Sequence, residues 1–155
     1  MLMKWLIASL VLNHRTSKAS KIVGALLVLI GLLGIGILGM DQILWQSMSG
    51  THAYGLVAFM TIDFIIAVLL LTRPSKMAFT IAAAWGILRI VIQIADVYFG
   101  PAMGLSYGDF ANYLFNPTMV TAPNPPGIPA ALIDLIIIMQ VIVVGVSLSA
   151  RSAQK

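Results

Sequence analysis

Four predominantly apolar runs, at about 22–40, 53–71, 77–99 and 128–150, constrain this chain more than anything else in it. Helical rise is 1.5 Å per residue, so each run is long enough to cross a hydrocarbon layer about 30 Å thick. No water reaches that layer, and every backbone N–H and C=O there must bond within its own segment or within a closed barrel. Runs of this length without strict alternation are helices. Composition leaves no soluble alternative: 60% of the residues are hydrophobic, 9% are charged, and mean hydropathy is +1.01. A soluble domain carries about 25% charged residues, and this chain has too few to cover a water-facing surface. The expected fold is an all-α integral membrane protein: a left-handed four-transmembrane-helix bundle, in a single membrane domain over residues 1–155, with an N-terminal interfacial helix and a structured outer loop.

Charge placement sets the expected orientation. Lys4, Arg15, Lys18 and Lys21 precede the first run, Arg73 and Lys76 separate the second from the third, and Arg151 and Lys155 follow the last. An even number of crossings puts all eight on one side, and the other side has no Lys or Arg. Short-loop bases of this kind mark the cytoplasmic face, so both termini are expected inside and the 100–127 loop outside. The net charge of +4 then meets anionic lipid heads rather than nucleic acid. The short loops suit a prokaryotic cell (plasma) membrane.

Residues 1–13 offer too few apolar positions to cross, and Lys4 and Trp5 fit a helix lying in the inner interface. The segment 1–21 is therefore expected as an interfacial helix, the alternative being one longer first helix reaching back through it. The polar stretch Asn13 to Lys18 follows the apolar residues where a signal peptide would have a small-residue cleavage site, so the segment is expected to be retained. On the other side, 100–127 carries five of the seven prolines, at 101, 117, 123, 125 and 126. Asp109 can cap a short helix from Phe110 to Phe115, and Tyr107, Phe110, Tyr113 and Phe115 make the stretch amphipathic and interfacial. Aromatic content and proline argue for an ordered outer cap.

Two constellations inside the runs call for an explanation. Gly24, Gly31 and Gly34 line one face of the first helix, and in lipid such a face admits a close neighbour. It either packs within this bundle or docks another subunit. The second constellation is charged. Asp63, Arg89 and Asp134 lie within runs, and Asp96 lies nearer the outer boundary. Facing lipid, the first three would cost on the order of 8–10 kcal/mol together. Asp63 and Arg89 fall at matching depth on helices joined by the short turn 72–76, so an ion pair between them is expected, with Asp134 joining it directly or through water. Arg89, Gln93 and Asp96 recur at four and three residues as one polar stripe, with Trp85 a turn below. The network Asp63, Arg89, Gln93, Asp96 and Asp134 either fixes helix register, carries protons or ions, or meets a polar face of another subunit.

Most chemistry is demoted. Without cysteine there are no thiolate metal sites, iron–sulfur clusters or thiol redox steps. His14 and His52 fall on opposite sides of the membrane and cannot jointly hold a haem. Copper at His52 with Met48 or Met119 has weak support. Asp63 and Asp134 have no companion nucleophile or metal-binding histidine. Gly34, Gly36 and Gly39 match a dinucleotide fingerprint in letters only, because they lie within a span and follow no strand. Four-helix families built on paired cysteines, and small exporters built on an intramembrane glutamate, do not match a chain that has neither residue. No catalytic, cofactor-binding or metal residues are therefore expected. The expected role is a non-catalytic accessory subunit of a multi-subunit membrane complex, with an energy-transducing or oxidising enzyme as the kind of host. Its partners would be other membrane subunits, in a hetero-oligomer rather than a homo-oligomer, and lipids. The alternative is a small homo-oligomeric proton- or ion-coupled transporter or channel built on the Asp and Arg network.

Overall fold

A computed structural model describes the backbone over 2–40, 51–99 and 127–154, and the side chains over 17–40, 53–94 and 131–154. Among the described residues there are four helices: α1 (Leu2–Met40), α2 (Thr51–Thr72), α3 (Lys76–Phe99) and α4 (Gly127–Ala153). No strand occurs among the described residues. Each helix contains a segment long and apolar enough to cross a membrane: Ser17–Met40, Ala53–Thr72, Lys76–Ile94 and Ala131–Ala153. The expected outer cap and its short helix, and His14, His52, Met48 and Met119, lie outside the described side chains.

The N-terminus departs from expectation. Instead of a separate interfacial helix, α1 is continuous through the polar stretch Asn13 to Lys18 and runs for 39 residues. The reason is local. No glycine or proline occurs before Gly24, so nothing in the backbone chemistry ends the helix there. At 1.5 Å per residue α1 spans about 58 Å, well beyond one hydrocarbon layer, and its described part Ser17–Met40 is long and apolar enough to cross.

The turn between α2 and α3 is tight because its residues satisfy the loose helix ends. Arg73 N–H donates to the Leu69 carbonyl at 2.8 Å. Ser75 caps α3, its Oγ accepting from Ala78 N–H at 3.1 Å, and Pro74 precedes the cap, where no further helical bond is needed.

Buried positions on α1 are Ser20, Val23, Gly24, Leu27, Ile30, Gly31, Gly34 and Ile37. On α4 they are Ile136, Met139, Gln140, Val143, Ser147 and Ala150. Steps of three and four are the spacing of left-handed helix packing. The outer surface is as apolar as the core: Leu32, Ile65, Val68, Met77 and Ile138 are all more than half exposed. The closest helix pairs are α1–α2, α3–α4 and α1–α4. Despite their short turn, α2 and α3 meet over the fewest residues of the four principal pairs, and large side chains fill the seam between them.

Candidate functional site: a sealed polar centre

Asp63 lies near the middle of the apolar part of α2, and Arg89 faces it from α3. Both are fully buried and form an ion pair. The other carboxylate oxygen, Oδ1, accepts from the Trp85 indole Nε1–H at 2.8 Å and from Gln140 Nε2 on α4 at 3.4 Å. The second contact sits at the long limit of a hydrogen bond. One carboxylate thus ties α2 to both α3 and α4. Beneath the guanidinium lies the Phe59 ring, its centroid 5.4 Å from Arg89 Cζ, within cation–π range. The same ring meets Trp85 edge-on, with centroids 5.6 Å apart and planes at 78°.

Gly86 allows α4 to come this close. A Cβ there would stand 2.7 Å from Val144 Cγ2 and 3.2 Å from Gln140 Oε1, so a side chain would force Val144 and the Gln140 amide to shift. The opposite charges neutralise each other inside the bundle, where an unpaired charge would cost several kcal/mol. The centre retains unused capacity: Arg89 Nε and Nη2, Gln93 Oε1 and Gln140 Oε1 are buried without a hydrogen-bond partner, as is Ser147 Oγ two turns further along α4.

The remaining sequence-derived candidates divide. Gln93 lies one turn beyond Arg89 on α3 and is partly buried. Asp96 lies on the same helix, outside the described side chains. Asp134 is also partly buried, but no hydrogen bond or ion pair joins it to any described residue. It sits six residues before Gln140 on α4, about 9 Å along the axis. The glycine face is fully used within the chain. A Cβ on Gly24 would lie 2.8 Å from Leu71, on Gly31 2.6 Å from Phe64, and on Gly34 2.6 Å from Met60 Sδ. All three neighbours belong to α2. This face packs the bundle and is not available to dock another subunit.

Phe59, Gly86, Gln140 and Ser147 were not marked by the sequence reading. Gln140 had a usable signal, since an amide in the middle of an apolar run should face the interior. Phe59 and Gly86 had none, because an apolar ring and a glycine are ordinary within a membrane helix. Among the described residues, no group of three or more His, Cys, Asp or Glu is placed to hold a metal ion.

Fold and centre define a class: the described residues form a bundle of four helices of membrane-crossing length around a buried Asp63–Arg89 charge pair at mid-depth. Comparison with family models, curated proteins and solved structures finds no match to this chain.

Proposed function

We propose that this chain is a multi-pass membrane protein serving as a non-catalytic structural subunit of a larger integral membrane complex. The observation that carries this reading is the sealed centre. Asp63, Arg89 and Gln140 are all 0% exposed, and the bonds on Asp63 run to two other helices. Charge in such a place holds helices in register. The bundle is then a rigid unit whose outward faces are free for lipid and for other subunits. The plasma membrane is its location, with both termini cytoplasmic and the 100–127 segment outside. The one-sided placement of Lys and Arg supports that orientation.

The test is mass analysis of the native protein extracted in mild detergent. The structural reading expects other subunits at fixed stoichiometry, whereas recovery alone or as a homo-oligomer removes it. A second reading, an ion-coupled transporter, draws on the buried donors of Arg89 and the buried acceptors of Gln93, Gln140 and Ser147. Groups of this kind bind water in membrane interiors, and linked waters can pass protons. Reconstituted protein would then carry a proton flux that Asp63→Asn abolishes, and a wild type without flux ends that reading.

A further inference from the structure

Asp134 is the one intramembrane acid among the described residues that the bundle leaves unanswered. It lies within the apolar segment Ala131–Ala153, is only partly buried and has no described partner. An acid at that depth facing lipid is costly. Along the same face of α4, Ile138, Val141, Gly145 and Ser149 follow at steps of four, three, four and four, and all four are exposed. At 100° per residue these positions stay within one narrow stripe. Around Gly145 the space is open, with nothing within 4 Å of a Cβ built there. Gly145 and Ser149 form a small-x-x-x-small pair that lets a second helix approach closely.

The charge inventory of the chain says which helix that is. Four crossings return the chain to the face it started from, so the beginning of α4 lies at the face opposite the termini. Between 22 and 72 there is no Lys or Arg, and none between 90 and 150. Arg89 is already engaged by Asp63. Every other base lies at the face that holds the termini, and Arg151 is about 25 Å from Asp134 along α4. A second copy of this chain therefore has no base to offer at the level of Asp134.

We infer that the outward face of α4 docks a transmembrane helix of a different subunit, one that presents a Lys or Arg to Asp134 and crosses closely at Gly145 and Ser149. This rests on the structural-subunit reading and names the chemistry of the partner.

The chain has no native cysteine, so single-cysteine variants report cleanly. Ile138→Cys on α4 and Val68→Cys on the outward face of α2 are expressed in the native membrane, labelled with a benzophenone maleimide and irradiated. The expected result is an adduct from Ile138→Cys to a different chain, whose cross-linked transmembrane peptide contains Lys or Arg, with only lipid adducts from Val68→Cys. Adding Asp134→Leu should lower the adduct yield on the order of tenfold or more, while Asp134→Glu should keep it. Gly145→Leu, which the isolated bundle has room for, should lower it too. Several outcomes overturn the inference: an adduct to a second copy of this chain, a partner peptide without a base, no adduct from Ile138→Cys, or a yield unmoved by Asp134→Leu. Native mass analysis separates the two failures. A fixed-stoichiometry hetero-complex without the Ile138→Cys adduct sinks only this inference, whereas a lone chain or homo-oligomer sinks the subunit reading as well.

Discussion

Between α1 and α2 the helices approach because side chains are missing; between α2 and α3 they stay apart because side chains are large. Gly24, Gly31 and Gly34 receive Leu71, Phe64 and Met60 from α2 at distances that exclude any Cβ. An adjoining face of α2, about 80° around the helix, presents Asp63 to Arg89 and Trp85, with Phe59 beneath them. One helix therefore uses two ways of holding a neighbour without the hydrophobic drive that lipid removes. Dispersion at close range serves the first seam, and paired charge with directional bonds serves the second. They should fail differently. A glycine seam loses stability when atoms are added, and a charged seam loses it when one partner is removed.

The largest effect is expected at the charged seam. Arg89→Met leaves Asp63 buried without its counter-charge, and breaking a buried pair in this way costs about 3–5 kcal/mol. Unfolding by detergent titration would show it, and an unchanged midpoint would mean the carboxylate finds another partner. Trp85→Phe keeps the ring beside Phe59 but removes the Nε1–H donor on Asp63. Hydrogen bonds to charged groups contribute about 1.5–3 kcal/mol, so the loss should fall in that range. A loss near zero would show that Gln140 compensates.

The glycine seam is sharpened by a pair of substitutions. Gly31→Ala places a methyl 2.6 Å from Phe64 Cζ, and overpacking of this kind costs about 1–3 kcal/mol. Gly55→Ala on α2 meets nothing within 4 Å and should be neutral or slightly stabilising, since alanine is the better helix former. Equal effects at the two positions would mean that α1 and α2 are not packed as described.

Much of the fold is legible in the sequence because lipid tolerates so few solutions. The lengths of the four apolar runs and the Arg73-Pro74-Ser75 turn suffice to place the helices. Matching depth on two helices joined by that turn is enough to expect Asp63 opposite Arg89. Legibility stops where identity depends on rotation about a helix axis. Glycine spacing could not say whether α2 or a foreign helix would cover Gly31. Gln140 reads as one polar residue in an apolar run until Gly86 is seen opposite it. Asp134 has the same chemistry as Asp63 and a different neighbourhood, and linear spacing carries no information about that. At the N-terminus, counting apolar residues suggested a separate helix, whereas the absence of any breaker before Gly24 was the stronger signal.

The most direct measurement compares the single variant Arg89→Met with the double variant Asp63→Leu, Arg89→Met, reading both the unfolding midpoint and the activity of the purified native complex. If the pair is a structural clamp, removing both charges should return the midpoint most of the way to wild type, since apolar replacement of a buried pair is often nearly neutral. The complex should then stay assembled and active. A double variant that folds and assembles but leaves the complex inactive would contradict that role, and would mean that charge at this centre takes part in the work of the complex.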